Sequence, residues 1–257
     1  MSSPLIEAHH VALNYHVPST RARSLRYSAA NLAVGGRLMK DGGNSVAVQA
    51  LKDISFSLED GDRLAIVGAN GSGKSSLLKV IAGVYEPSHG RIGVRGRISS
   101  MLDIGHGLDM EATGVQNIRL LAAMRGYSPW RLKDQIDAIV DFSELGAFAN
   151  IPVRTYSSGM LARLLFSVAT AFAHDILLLE EWLSAGDANF VQKATARMSD
   201  VLTNTRVVVT ATHSPHLVRQ LCNKVLILDH GRQAFLGSVD DYFYRAAVEQ
   251  QESQEPT

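Results

Sequence analysis

One octapeptide constrains this chain more than any other feature. Gly68-Ala69-Asn70-Gly71-Ser72-Gly73-Lys74-Ser75 fits the pattern G-x-x-x-x-G-K-[ST] at every position. It follows an apolar run, Leu64–Val67, that reads as a buried strand, and it precedes an amphipathic helical stretch, Ser76–Ala82. Strand, glycine-rich loop and helix in that order place a helix N-terminus at the end of a strand. The glycines admit a tight loop whose N–H groups turn inward, and the helix dipole favours an anion there. Such a loop cradles phosphates. Gly68, Asn70, Gly71, Ser72, Gly73 and Ser76 line it, Lys74 reaches the β- and γ-phosphates, and the Ser75 hydroxyl ligates magnesium. The plain alternative is a glycine-rich turn without a ligand, and the flanking strand and helix argue against it.

The rest of the chain alternates short β-like runs with helical patterns, which predicts an α/β protein with a mostly parallel sheet. Ile176–Leu179 and Val207–Thr212 read as further buried strands. Val225–Leu228 reads as another, followed by a hairpin turn at Asp229-His230-Gly231-Arg232. Ile136, Ile139, Val140 and Phe142 form one apolar helix face, in a helix that Ser128-Pro129 would start. The helical stretch from about 113 to 173 reads as a subdomain inserted into an α/β core.

Composition narrows the function classes. The 257 residues carry 25 basic and 25 acidic side chains, so the net charge is zero. That excludes a globally basic nucleic-acid binder. A 46% hydrophobic and 19% charged composition is globular and excludes a disordered chain. The single cysteine, Cys222, excludes an internal disulfide framework and a Cys-rich zinc site, and fits a cytosolic setting. Met1–His10 lacks the basic start and apolar core of a signal peptide. The most apolar stretch, Leu161–Leu179, is interrupted by Arg163, His174 and Asp175, so no membrane span is expected. A basic insertion at about 18–46 contains Arg21, Arg23, Arg26, Arg37 and Lys40. It reads either as a solvated loop or as a segment near a membrane or an anionic lipid-linked substrate.

A phosphate loop alone does not choose among kinases, GTPases and transport ATPases. Four further segments do. Tyr156-Ser157-Ser158-Gly159-Met160 opens a helix with a hydroxyl and a glycine, suited to capping a γ-phosphate or serving as a serine N-cap. Ile176-Leu177-Leu178-Leu179-Glu180-Glu181 is an aliphatic strand ending in two carboxylates. Ser184-Ala185-Gly186-Asp187 follows, and Thr212-His213-Ser214 closes a strand. Together these resemble, in order, the signature, Walker B, D-loop and switch segments of the ATP-binding cassette (ABC) ATPases. The likeness spans about Leu5–Tyr244. It implies an α/β fold: a P-loop NTPase (RecA-like) core with an antiparallel β subdomain and an inserted helical subdomain.

The resemblance also implies roles. Glu180 would hold the magnesium shell, although the family usually has Asp there. Glu181 would orient and polarise the attacking water, and His213 would contact the γ-phosphate. Asp103 stands where the family has a metal-approaching glutamine. Tyr15 would stack on adenine, or else serve as a core or surface tyrosine. Ser157, Ser158, Gly159 and Asp187 would face the nucleotide of a second copy, in a head-to-tail homodimer binding ATP and Mg2+.

Tyr156–Met160 with Arg163 and Phe166, the run Glu181-Trp182-Leu183-Ser184-Ala185-Gly186-Asp187, and Ala112-Thr113-Gly114 with Asn117-Ile118 resemble a narrower subfamily. It exports bacterial polysaccharides such as O-antigen, capsule or teichoic acid. That likeness implies a subunit peripheral to the cytoplasmic face of the inner membrane. It would power a separate integral-membrane permease and act only indirectly on lipid-linked polysaccharide, with no nucleic acid involved. The expected organisation is one cassette over 1–249 and a polar tail over 250–257, without a C-terminal carbohydrate-binding domain. The alternatives are a soluble non-transport ABC ATPase and a weakly hydrolysing, nucleotide-gated regulatory module.

Overall fold

The computed structural model describes residues 3–17, 37–40, 46–102, 107–127, 132–180 and 188–252. Asp103, Glu181, the segment 184–187 with Asp187, Ser128-Pro129, most of the basic insertion and residues 253–257 lie outside them. The chain divides into two compact units. The first comprises residues 1–98, 178–181 and 206–257, and the second residues 99–177 and 182–205.

The first unit is built on a mixed sheet. Its strands are β1 (Ile6–Val17), β2 (Arg37–Lys40), β3 (Val46–Leu58), β4 (Arg63–Val67), β5 (His89–Val94), the Leu178–Glu180 end of β7 (Ile176–Glu180), β8 (Val207–Ala211), β9 (Lys224–Asp229) and β10 (Arg232–Ser238). They run in the order β5-β1-β3-β10-β9-β4-β8-β7, with β2 paired to β3. The β1–β3, β1–β5, β2–β3 and β9–β10 pairings are antiparallel, whereas β4 is parallel to both β8 and β9. An antiparallel flank therefore adjoins a parallel centre. β8 is buried at every residue and β4 at all but its first, the pattern of strands covered on both faces.

Helices α1 (Lys74–Ile81), α6 (Pro215–Leu221) and α7 (Val239–Glu252) belong to this unit. α1 starts two residues before the sequence pattern suggested, because Gly73 in the left-handed region (φ 107°) serves as its cap residue. The β9–β10 hairpin turns on His230 and Gly231, both at positive φ (46° and 78°), the backbone that a two-residue hairpin requires.

The second unit is helical: α2 (Gly114–Met124), α3 (Lys133–Ser143), α4 (Ser158–Ala171) and α5 (Ala188–Asn204). The short strand β6 (Ile98–Ser100) falls at the division between the units. Ile118, Leu121, Ile136, Ile139, Leu164 and Val168 meet in one apolar cluster. Thr113 caps α2 in a reciprocal box with Gln116. Asn117 is fully buried. Its amide donates to the carbonyls of Asp109, Ala112 and Thr113 and accepts from Asp109 N, which pins the loop before α2. Among the described residues, no helix is long and apolar enough to cross a membrane.

Candidate functional site

In the first unit a cavity of about 390 Å3 opens where β4 and β8 end. Tyr15, Val48, Ala50, Asn70, Gly71, Gly73, Lys74, Ser75, Ser76, Glu180, Ala211 and His213 line it. β4 and β8 are parallel, so their C-terminal ends reach one edge, and Glu180 at the end of β7 lines the same cavity although these residues are far apart in sequence.

The phosphate loop is built by close backbone approach. A Cβ on Gly68 would stand 2.2 Å from the Leu228 carbonyl and 2.6 Å from Ser72 Oγ. One on Gly73 would stand 2.8 Å from the Ala50 carbonyl. Both positions also have positive φ, so only glycine fits. The hairpin turn backs the loop: Gly231 N donates to the Ser72 carbonyl at 2.9 Å, and the Gly231 carbonyl accepts from Lys52 N at 2.7 Å. The turn was legible in the sequence, but its role as a backstop was not, because nothing local joins residue 231 to residue 72.

α1 begins with no side chain capping it, so its first-turn N–H groups remain available to an anion. Lys74 is buried, and its ammonium donates to the carbonyls of Gly68 (2.8 Å) and Ala69 (3.0 Å), which holds the charge at the loop. The Ser72 hydroxyl is buried without a hydrogen-bond partner among the described residues. Ser75 Oγ donates to Glu180 Oε1. His213 lies just past β8, exposed at the cavity wall, and Ser214 Oγ behind it accepts from Leu217 N to cap α6.

Tyr15 forms one wall. Its hydroxyl donates to Ser76 Oγ at 3.1 Å, and its ring meets Tyr85 edge-on with centroids 5.3 Å apart. Partial burial pushes its phenol above the ordinary value of 10, against the opposing effect of the Ser76 hydrogen bond. Tyr15 thus stays a neutral, oriented ring. The sequence did not point to Tyr85.

These residues fit a triphosphate with magnesium. The loop is a cradle that side chains at positions 68 and 73 would fill, the orphaned Ser72 hydroxyl sits in it, and Lys74 supplies a cation. A divalent ion bound to phosphate needs few protein ligands. Ser75 can offer an oxygen lone pair while its O–H still donates to Glu180. The longer side chain of Glu180, in place of Asp, therefore still reaches this hydroxyl.

The second unit carries a separate cavity of about 530 Å3, lined by Glu144, Leu145, Phe148, Ser157, Ser158, Gly159, Met160 and Arg163. Ser157 is the N-cap of α4, and its hydroxyl accepts from Met160 N at 3.2 Å. Tyr156 Oη donates to the Phe148 carbonyl at 2.7 Å, and a Cβ on Gly114 would stand 2.4 Å from that hydroxyl. Gly114 and Tyr156, which stand out separately in the sequence, are two halves of one contact. Burial pushes the Tyr156 phenol above 10, against the effect of its backbone hydrogen bond at Gly114.

The profile of the family described as ABC transporter matches residues 51–184. The O-antigen export system ATP-binding protein RfbE of Yersinia enterocolitica is 40% identical over 221 residues, covering 86% of this chain and 92% of that protein. RfbB of Klebsiella pneumoniae, of the same description, is 37% identical over 191 residues, 74% of this chain and 78% of its own. The teichoic acids export ATP-binding protein TagH of Bacillus cereus is 36% identical over 203 residues. That match covers 78% of this chain but only 37% of TagH. A solved ATP-binding cassette, described as a dimer in a post-hydrolysis state with ADP and Pi, superposes with a TM-score of 0.66 at 18% identity. It covers 91% of this chain and 98% of that one, and the likeness carries the fold.

Proposed function

The chain belongs to the ABC transporter family, as an ABC-type ATPase, and from that premise we propose that it powers the export of a lipid-linked polysaccharide through a separate membrane permease. One observation carries the nucleotide chemistry: Tyr15, Lys74, Ser75, Glu180 and His213 line a single cavity at the ends of parallel strands. The polysaccharide reading is supported by the O-antigen and teichoic acid exporters that the chain resembles. The protein acts at the cytoplasmic face of the inner membrane as a peripheral subunit.

Each residue then has a task. The Tyr15 ring stacks on adenine. First-turn N–H groups of α1 and the Lys74 ammonium bind the phosphates, and Lys74 exchanges its loop carbonyls for phosphate oxygens. Ser75 would hold magnesium through its oxygen while its O–H still donates to Glu180. When bound, magnesium neutralises charge on the β- and γ-phosphates. His213 holds the γ-phosphate, and Glu181 polarises the attacking water. A water oxygen bonds to the γ-phosphorus, the bond to the bridging β–γ oxygen breaks, and ADP and phosphate leave. Asp103, at the sequence position of the family glutamine, would be a further group for holding the metal. Two copies pair head to tail, so that Ser157, Ser158, Gly159 and Asp187 of one close over the nucleotide of the other.

The test is ATP turnover by the purified protein with its permease, beside a Glu181→Gln variant, together with export in a strain lacking the gene. Turnover lost in the variant and polymer retained at the inner membrane are expected. Absent turnover in the wild type would favour a nucleotide-gated regulatory module. Normal polymer at the cell surface of the deletion strain would sink the export reading.

A further inference from the structure

Glu144 occupies a junction that the nucleotide chemistry leaves unexplained. It closes α3 in the left-handed region (φ 57°, ψ 27°), a backbone disfavoured for a residue with a Cβ. A glycine there would relieve the strain. Glu144 instead carries a carboxylate that accepts from two other helices. Arg163 on α4 donates to Oε2 at 3.3 Å, and Lys193 on α5 donates to Oε1 at 3.0 Å. Lys193 also donates to the Phe142 carbonyl at 3.1 Å, at the end of α3. The two cations hold the Glu144 carboxyl below its ordinary value, chiefly through the Lys193 hydrogen bond.

An aromatic triangle marks the same junction. Phe142 of α3, Phe166 of α4 and Phe190 of α5 contact one another with centroids 5.9 to 6.2 Å apart. Arg163 lies over the Phe190 ring at 5.2 Å, and Lys193 over the Phe142 ring at 4.7 Å. Glu144 and Arg163 also line the cavity that holds Ser157, Ser158 and Gly159. One carboxylate therefore ties the helix whose N-terminus offers Ser157 to the helix that follows segment 182–187. The half-exposed ion pairs contribute little to stability by themselves. Two weak ion pairs do not offset a strained backbone, which points to orientation rather than folding energy as what Glu144 contributes.

We propose that Glu144 is a positioning residue: through Arg163 and Lys193 it sets the N-terminus of α4 at the angle from which Ser157–Gly159 meet the triphosphate of a second copy. This rests on the head-to-tail dimer under Proposed function. Three full-length variants test it: Glu144→Gln, Glu144→Gly and the charge-conserving Glu144→Asp. Each is measured for monomer binding of a fluorescent ATP analogue, for dimerisation with adenylyl imidodiphosphate and magnesium, and for melting temperature. Glu144→Gln should bind the nucleotide as the wild type does and dimerise about tenfold more weakly. Glu144→Gly should dimerise as weakly while melting no lower than the wild type, a split that a purely structural role would not produce. Glu144→Asp, which keeps a carboxylate between the two cations, should retain at least half of the wild-type dimerisation. Wild-type dimerisation in both Glu144→Gln and Glu144→Gly would overturn the positioning role and leave the dimer standing. A wild-type protein that stays monomeric with the nucleotide would overturn both.

Discussion

The N-termini of α1 and α4 both carry hydroxyls and a glycine, and they are finished differently. α1, in the first unit, starts from Gly73 with no capping side chain, and a buried lysine waits at its loop. α4, in the second unit, starts from Ser157, whose hydroxyl already accepts from Met160 N. The first leaves its orphan donors for a ligand; the second has satisfied one of its own. The difference teaches that the phosphate loop is complete within one chain. The Ser157 end is capped by its own side chain, and under the proposed function it meets a nucleotide held by the second copy.

Removing the cation from the first end should have the largest effect. Lys74→Ala should weaken ATP binding by roughly a hundredfold, the loss of charge-assisted hydrogen bonds to phosphate, as read by titration of a fluorescent analogue. Binding within twofold of wild type would break the comparison. Ser157→Ala should leave monomer binding unchanged and lower ATP-dependent turnover about tenfold. It should also cost about 1 kcal/mol of stability by denaturant unfolding, because a cap is lost. An equal loss of monomer binding would mean that the two ends are not independent. Tyr15→Leu should weaken binding about tenfold and Tyr15→Phe less than threefold, because the ring, held by Tyr85, matters more than its bond to Ser76. Affinity should hold through pH 9, since burial raises the Tyr15 phenol and keeps it neutral there. Gly114→Ala should have the smallest effect on nucleotide affinity, none within error. It should nonetheless destabilise the protein by about 1 to 3 kcal/mol, because the new methyl displaces the Tyr156 hydroxyl from the Phe148 carbonyl.

Much of this was legible. The octapeptide is contiguous, so its strand, loop and helix follow from local pattern. Glu180 and His213 end apolar runs that read as strands of one α/β sheet, and such strand ends are where ligands are expected. Tyr15 was legible only as a candidate, because β1 reaches the cavity through the antiparallel flank, whose bulged register no local rule specifies. Glu144 gave no signal: a glutamate after a helix reads as solvated, and its left-handed backbone and its two partners are visible only in three dimensions.

The sequence by itself determined the chemistry, because phosphate binding needs particular residue types at short fixed spacing and the chain supplies them in one run. The tertiary structure alone decided what holds that chemistry in place: Gly231 behind Ser72, Tyr85 against Tyr15, Gly114 beneath Tyr156, and Glu144 between Arg163 and Lys193. Each joins residues that no local pattern links. Which of them touch depends on strand register and helix packing, quantities that the whole fold sets together.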